Sequence, residues 1–193
     1  MGKTHKERSE ETTEKVLVAA QKHFAELGYA GVSTDALVQE VGLTRGALYH
    51  HFGSKQGLFE AVAERVHEEI AEKIERRSAT TDDLWEQLTL GCFAWLDEIT
   101  DETVQRILLL DAPAILGWDA WLELDRHGLG ELRKGVNALS EAQLLNVPCE
   151  ALLHLLNGAM NQAALWVAQS PNPQQALADV KETLSAILEG LRK

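Results

Sequence analysis

The sequence predicts an all-α protein of 193 residues. Apolar residues recur three or four positions apart along most of the chain, which is the period of one helix face. No stretch of useful length alternates apolar and polar residues as a half-buried strand does. Ser, Thr and Asp precede many of the apolar stripes and Gly follows several of them, as expected of helix starts and ends. We therefore expect helices joined by short turns, and no sheet.

The chain begins with a charged segment of about eleven residues that we expect to form a mobile arm. A first helix is predicted from Thr12 to Leu27 and ends at Gly28. Its apolar face consists of Val16, Ala20, Phe24 and Leu27. This helix is expected to cover the next two, which are too short to form a core alone.

Two short helices follow within residues 32–53, and each has its own start signal. Ser33 and Thr44 are natural N-caps, and Gly42 suits the left-handed residue that ends the first of the two helices. Two helices joined by a Gly-containing turn of about three residues are typical of a helix-turn-helix. Hydrophobic-staple pairs strengthen both starts: Val32 with Leu37, and Leu43 with Leu48.

A long amphipathic helix is predicted from Ser54 to Arg76 or Arg77, about 23 residues and roughly 35 Å. It separates an N-terminal domain, residues 1–58, from a C-terminal helical domain, residues 59–193. In the second domain Thr81 and Thr100 are predicted to begin helices, and the DAPAILGW segment interrupts the pattern. Further helices are predicted over 118–145, from Pro148 to about Ser170, and from there to Leu191.

Composition is that of an ordinary globular protein, with 45% hydrophobic and 25% charged residues. The polar start contains no secretory signal, no apolar run is long enough to span a bilayer, and the two cysteines form no close pair, so we expect a cytoplasmic protein. The formal net charge is −12, and all of it lies beyond Phe59. The neutral N-terminal part can still hold a basic face, whereas the acidic remainder repels phosphate or simply aids solubility.

The segments STDALVQEVG and TRGALYHHFGSKQGLF resemble the TetR family of bacterial transcriptional regulators, and the resemblance covers about Thr12 to Phe59. It implies that the N-terminal domain binds double-stranded DNA. It also implies that Thr34, Tyr49 and Lys55 bind phosphates and that His50 touches the backbone or the bases.

In a helix-turn-helix the second helix lies in the major groove, and its early residues meet base edges. Because that helix begins at Thr44, Arg45 and Gly46 come first. Arg45 either reads a guanine or contacts a phosphate, and Gly46 either permits close backbone approach or is merely tolerated. Asp35 places a negative charge near the DNA side. His50 and His51 diverge on their helix, so no metal site is expected.

The helix from Pro148 is apolar nearly all round and must be covered on every side. Either it is buried inside the domain, or it pairs with a second copy of the chain through the last two helices. The family resemblance implies such a homodimer, whose predicted interface includes Ala159, Ala163, Val180, Leu184 and Ile187.

All five tryptophans lie outside the helix-turn-helix, which suits a pocket for a small apolar or aromatic effector in the C-terminal domain. Asp111 is predicted to cap a helix rather than to hold a ligand. The residues predicted to line the pocket are Trp95, Trp118, Trp121 and a polar stripe of His154, Asn157 and Asn161. The alternative for the tryptophans is a place in the core or an interface. The alternative for the polar stripe is to satisfy local backbone groups or to pair across the dimer.

The sequence therefore predicts a homodimeric repressor released from a pseudo-palindromic operator by this effector. An activator or a ligand-independent repressor of the same fold is the alternative. A helical enzyme or cofactor carrier is a remote one, because the chain has no nucleophile motif, paired-carboxylate site, metal-ligand spacing or phosphate loop. We expect no cofactor and no catalytic residue.

Overall fold

A computed structural model describes residues 5–192, except for the side chains at 5–6, 8–10, 118, 122 and 125–128. The described chain is helical and has no strand, as predicted; one isolated β-bridge joins Leu145 to Arg192. The helices are α1 His5–Gly31, α2 Thr34–Val41, α3 Arg45–Phe52, α4 Lys55–Ser78, α5 Leu84–Ile99, α6 Glu102–Gln105, α7 Ala112–Leu116, α8 Trp118–Glu141, α9 Cys149–Gln169 and α10 Pro173–Gly190, with a π-helical turn Arg106–Asp111 between α6 and α7.

The chain divides into two compact units. The N-terminal unit contains the described residues up to Val66 together with Glu102–Trp121, and the C-terminal unit contains His67–Asp101 and the chain from Leu122 onward. The two compact units therefore do not coincide with the two domains predicted from the sequence, whose boundary lies between residues 58 and 59. The assignment of functions to the two parts stays a prediction.

The first helix starts earlier than the sequence pattern predicted. Residues 5–11 are helical, so the prediction of a mobile arm over residues 1–11 is wrong for residues 5–11. Residues 1–4 are not among the described residues. Glu and Lys favour helix, and Lys15 lies 3.6 Å from Glu11 one turn before it, an arrangement that stabilises the first turns.

The predicted helix end at Gly28 is confirmed. Its backbone angles, φ 68° and ψ 167°, lie in a region that is essentially restricted to glycine. A short helical turn continues from Tyr29, whose N–H donates to Asp111 Oδ2 at 2.8 Å. Asp111 therefore caps a helical turn, as predicted. The turn it caps belongs to α1, because Asp111 makes no side-chain cap bond at the start of its own helix, α7.

An aromatic cluster holds this turn in place inside the N-terminal unit. The Tyr29 ring lies 6.0 Å from Phe24 and 5.2 Å from Phe59, and Phe24 and Phe59 meet edge to face at 5.0 Å. Phe24 and Phe59 are fully buried. Such pairs add to the stabilisation from burial by about 0.5–1.5 kcal/mol each.

Both caps of the helix-turn-helix are confirmed. The Ser33 hydroxyl accepts the Ala36 N–H at 3.4 Å, and the Thr44 hydroxyl accepts the Ala47 N–H at 3.2 Å. Gly42 takes the left-handed conformation, with φ 71°. The predicted long helix is also confirmed as α4, 24 residues that begin after Ser54, whose hydroxyl accepts the Gly57 N–H at 3.0 Å.

Three boundaries beyond α4 were predicted wrongly. Asp83, not Thr81, is the N-cap of α5, because its carboxylate reaches the Glu86 N–H at 2.9 Å, while Thr81 instead donates to the Glu86 side chain. Thr100 ends α5 rather than starting the next helix. The DAPAILGW segment stays helical through the π-helical turn, and the break comes at Gly117, with φ 84°.

In the C-terminal unit, Asp97 of α5 connects α4 and α10. It pairs with Arg77 at 2.6 Å and with Lys181. Partial burial opposes ionisation of this carboxyl, but the hydrogen bonds and charges of Lys181 and Arg77 outweigh it and lower its pKa. None of the helices in residues 5–192 is both long enough and apolar enough to cross a membrane.

We expect Gly28→Ala to destabilise the N-terminal unit by about 2 kcal/mol, because a side chain is strained at this backbone geometry. The added Cβ would also overlap the Arg106 guanidinium. Thermal unfolding should show a fall of about 5 °C in Tm.

Gly130→Ala is the control, because Gly130 lies within α8 and a Cβ there meets nothing within 4 Å. It should leave Tm unchanged or raise it slightly. Equal stability of the two variants would contradict the role given to Gly28.

Candidate DNA-binding surface and effector cavity

The recognition helix of the predicted helix-turn-helix is α3, and it turns one face inward and one outward. Leu48 is 1% exposed and anchors the helix in the core of the N-terminal unit. Arg45, Gly46, Tyr49 and His50, all predicted to bind DNA, are exposed to solvent. Thr44 is exposed as well, and its hydroxyl is engaged as the cap.

Two of the predicted phosphate ligands, from different helices, lie next to each other. The hydroxyls of Thr34, the first residue of α2, and of Tyr49 in α3 share a hydrogen bond of 3.3 Å. The Lys55 ammonium, at the start of α4, lies 4.6 Å from the centre of the Tyr29 ring, a cation–π contact that restrains it.

Asp35 and Arg45 form an exposed ion pair that the sequence reading did not foresee. The carboxylate contacts both Nε and Nη2 of the guanidinium. The two residues are ten positions apart, on α2 and α3. Only the angle between the two helices brings them together, which is why local sequence rules miss the pair.

A cavity of about 380 Å³ lies within the C-terminal unit, between the last turns of α4 and helices α5, α8 and α9. Most of its wall is apolar: Ile74, Leu88, Cys92, Trp95, Leu132 and Met160. Polar groups are fewer: Glu75, Ser78, Gln87, Glu131, Lys134 and Asn157. An apolar wall with a few polar groups is typical of a small-molecule site.

The ionisable groups that line the cavity are two carboxylates, Glu75 and Glu131, and one ammonium, Lys134, beside the Cys92 thiol. Glu131 is 16% exposed and lies 2.5 Å from the largely exposed Lys134. The pKa of Lys134 is raised, chiefly by the hydrogen bond to Glu131 and further by the charges of Glu131 and Glu75. Burial raises the pKa of the Cys92 thiol to about 12, so this cysteine is a neutral, apolar part of the wall at neutral pH.

The predicted pocket residues are only partly brought together. Trp95 and Asn157 line the cavity. His154 is exposed and lies 3.7 Å from Glu150, and Asn161 is half-buried but does not line the cavity. Trp121 belongs to the N-terminal unit, where its indole N–H donates to the Leu108 carbonyl at 3.1 Å. The side chain of Trp118 lies outside the described residues.

Sequence reasoning missed most of the cavity wall, including Leu88, Cys92, Leu132 and Met160. These residues are ordinary members of apolar helical stripes, and nothing in the sequence distinguishes a cavity wall from a packed core. Only Glu131 and Lys134, which are three positions apart on a helix, could have indicated from the sequence that charged groups line the cavity.

Helices α9 and α10 pack together and leave large apolar side chains uncovered in the single chain. Leu155 is 72% exposed, Trp166 51% and Ile187 52%. Ala159 is exposed between Leu155 and Trp166 on the same face of α9, whereas Ala163 and Val180 are half-buried. Leu184 was predicted to lie in the interface but is 6% exposed, because it packs inside its own unit.

Known families match both halves of the chain. Residues 16–62 match the family described as "Bacterial regulatory proteins, tetR family", and residues 85–191 match the "Tetracyclin repressor-like, C-terminal domain". The chain belongs to the TetR family.

Individual relatives extend this family assignment along the whole chain. The TetC protein of transposon Tn10 from Escherichia coli is 30% identical over 194 residues, covering 97% of this chain and 94% of TetC. A crystal structure of a TetR-family regulator from Pectobacterium atrosepticum is similar with a TM-score of 0.82 at 36% identity, over 98% of both chains.

A match to a named repressor covers about a third of the chain. The repressor AcnR of Corynebacterium glutamicum is 39% identical over 61 residues, 32% of this chain and 32% of AcnR. The predicted family and all-α fold are thus confirmed: the protein is a TetR-family transcriptional regulator with a helix-turn-helix DNA-binding domain.

Proposed function

We propose that this TetR-family regulator is a homodimeric repressor that leaves a pseudo-palindromic operator when a small, largely apolar effector occupies the cavity of the C-terminal unit. The observation that carries the DNA-binding part is the outward side of α3. There Arg45, Tyr49 and His50 are exposed together, with Thr34 hydrogen-bonded to Tyr49.

The roles on this surface follow from the chemistry of each group. Hydroxyls of Thr34 and Tyr49 and the ammonium of Lys55 suit phosphate oxygens, which position a protein on DNA without reading sequence. Arg45 and Gly46 open α3, where side chains meet base edges in the major groove. His50 lies one turn further along the exposed side and is within the same footprint.

Exposed apolar side chains on α9 and α10 support the homodimer. A single chain gains nothing by leaving Leu155, Trp166 and Ile187 in water, and a symmetric partner would cover the same patch on both copies. Ala159 between them would allow the helices of the two copies to approach closely. The dimer would set two α3 helices about 34–36 Å apart, one turn of DNA.

The cavity supports a neutral or cationic effector rather than an anionic one. Its apolar wall suits a hydrophobic or aromatic body, and Trp95 offers a ring surface. Glu131 and Glu75 outnumber Lys134, so a second anion would be repelled, whereas an amine or a hydrogen-bond donor would be accepted.

Helix α4 supports a link between effector and DNA, because it is a single helix that reaches both sites. Its last two turns line the cavity through Ile74 and Ser78, and its first residue is Lys55. An effector that favours a displaced α4 would separate the two recognition helices. It must bind the displaced state about 5.5 kcal/mol more tightly to shift the population from 1:99 to 99:1.

Tyr49→Phe should weaken specific binding by about a hundredfold, because it removes one hydrogen bond to a charged phosphate from each subunit of the dimer. Lys55→Ala should weaken binding to all sequences and lower the slope of log affinity against log salt by about 2 in a dimer, one per subunit. Both are measured by gel shift against the DNA upstream of the protein's own gene.

Lys15→Ala is the matched control, since Lys15 is an exposed lysine of the same unit that pairs with Glu11. It should change affinity less than twofold. Specific binding untouched by Tyr49→Phe and Lys55→Ala would overturn these residue roles.

Ile187→Glu and Leu155→Glu should convert the dimer to a monomer, because each buries a charge in the proposed interface. Sedimentation velocity measures the change. Val18→Glu is the control: Val18 is as exposed as Ile187, each at 52%, but lies on α1. Monomeric wild-type protein, or dimeric charged variants, would refute the interface.

Hydrophobic amines or neutral analogues should raise Tm by about 5 °C or more at a hundredfold excess over Kd and release the operator. Carboxylate analogues with the same ring should do so weakly. Ala138→Phe, which fills the cavity from α8, should abolish both effects, whereas Ala142→Phe beyond the end of α8 should not. Equal binding of amines and carboxylates would contradict the assigned effector class.

A further inference from the structure

The ion pair between Asp35 and Arg45 joins two helices of the proposed DNA-binding surface. Asp35 is the second residue of α2, Arg45 is the first residue of α3, and both side chains are more than half exposed, at 58% and 61%. Ion pairs this exposed contribute little to folding stability. The arrangement therefore calls for an explanation other than stability.

Geometry supplies that explanation. An arginine has five N–H donors in one plane. Asp35 takes the side of the guanidinium, through Nε and Nη2. The end of the group, with one N–H each on Nη1 and Nη2, remains available as a second parallel fork. Such a fork matches the O6 and N7 atoms of guanine in the major groove.

We propose that Asp35 is a specificity-determining residue, which holds the Arg45 guanidinium so that its free end reads one guanine in each half-site. This inference rests on the DNA-binding function proposed above. Asp35 touches Arg45 rather than the base, so it acts as a positioning residue.

Two physical effects make the positioning worthwhile. A free arginine on α3 can turn toward the nearest phosphates, where it binds any sequence. An arginine that is already ordered also loses less rotational freedom when it binds. The ion pair with Asp35 keeps Arg45 away from the phosphates, and it orders the Arg45 side chain before DNA binds.

The same carboxylate carries a cost, because its negative charge faces the DNA. It repels phosphates and lowers affinity for every sequence. Charge repulsion acts at all sites alike, whereas positioning of Arg45 acts at one base pair. The two effects are therefore separable by experiment.

The experiment uses the full-length protein without effector. Binding selection from a random duplex pool defines the wild-type half-site, and relative affinities are then measured for every single base change in it. Arg45→Ala identifies the base pair that Arg45 reads, as the position whose preference disappears.

Asp35→Asn should reduce the preference for guanine at that same base pair by about tenfold, the scale of one bidentate contact. Preferences at other positions should stay within twofold, and affinity for unrelated DNA should rise. The double variant Asp35→Asn with Arg45→Ala should show no further loss of preference at that base pair.

Glu40→Gln is the matched control. Glu40 is an acidic residue of the same helix with a side chain 51% exposed, and it pairs with His23 rather than with Arg45. Removal of its charge should raise affinity for all sequences and leave every base preference unchanged. Melting temperatures of all variants confirm that they are folded.

Three results would overturn the proposal. Asp35→Asn could behave like Glu40→Gln, which makes Asp35 a general repulsive charge. It could shift preference at a different base pair from Arg45→Ala, which separates the two residues. Arg45→Ala could leave every base preference intact, which makes Arg45 a phosphate ligand. A wild-type protein that selects no sequence would instead overturn the proposed DNA-binding function itself.

Discussion

The hydrogen bond from the Tyr29 N–H to Asp111 is the contact on which the N-terminal unit depends. Gly28 leaves the helical conformation, so the N–H that follows it loses its place in α1 and takes a carboxylate oxygen at 2.8 Å instead. Tyr29 is thereby fixed, and its ring packs between Phe24 and Phe59 while carrying the Lys55 ammonium on its face. The segment Glu102–Trp121 is therefore part of the scaffold of the helix-turn-helix and not merely a connection to later helices.

The proposed DNA-binding surface would balance affinity against selectivity. Unpaired cations would bind any phosphate, and their attraction alone gives nonspecific binding. Here each principal polar group is already restrained: Thr34 by Tyr49, Lys55 by the Tyr29 ring and Arg45 by Asp35. Restraint of this kind lowers the entropy lost on binding and limits the geometries in which a contact forms. A neutral N-terminal segment attached to an acidic remainder is compatible with binding of this selective kind.

The C-terminal unit keeps two kinds of apolar surface apart. One lines a cavity that includes Leu88, Trp95 and Met160, and the other lies uncovered on α9 and α10. The first suits a small molecule and the second a flat partner, because concave surfaces bury a ligand on most sides whereas an exposed helix face needs another helix. Asp97, paired with Arg77 and Lys181, joins α4 to α5 and α10.

The sequence by itself determined the all-α fold, the helices α2, α3 and α4, the caps at Ser33 and Thr44, the turns at Gly28 and Gly42, and the family. Each of these depends on neighbours within a few positions, where backbone geometry and hydrogen-bonding rules act locally. Only the tertiary structure decided the rest. Asp111 lies 82 positions from Tyr29, Arg45 meets Asp35 across a helix crossing, Leu184 is buried while Ile187 is exposed, and Trp121 belongs to the unit without the cavity. Apolar periodicity identifies an inward face, but it does not say which element covers that face or where packing leaves a space.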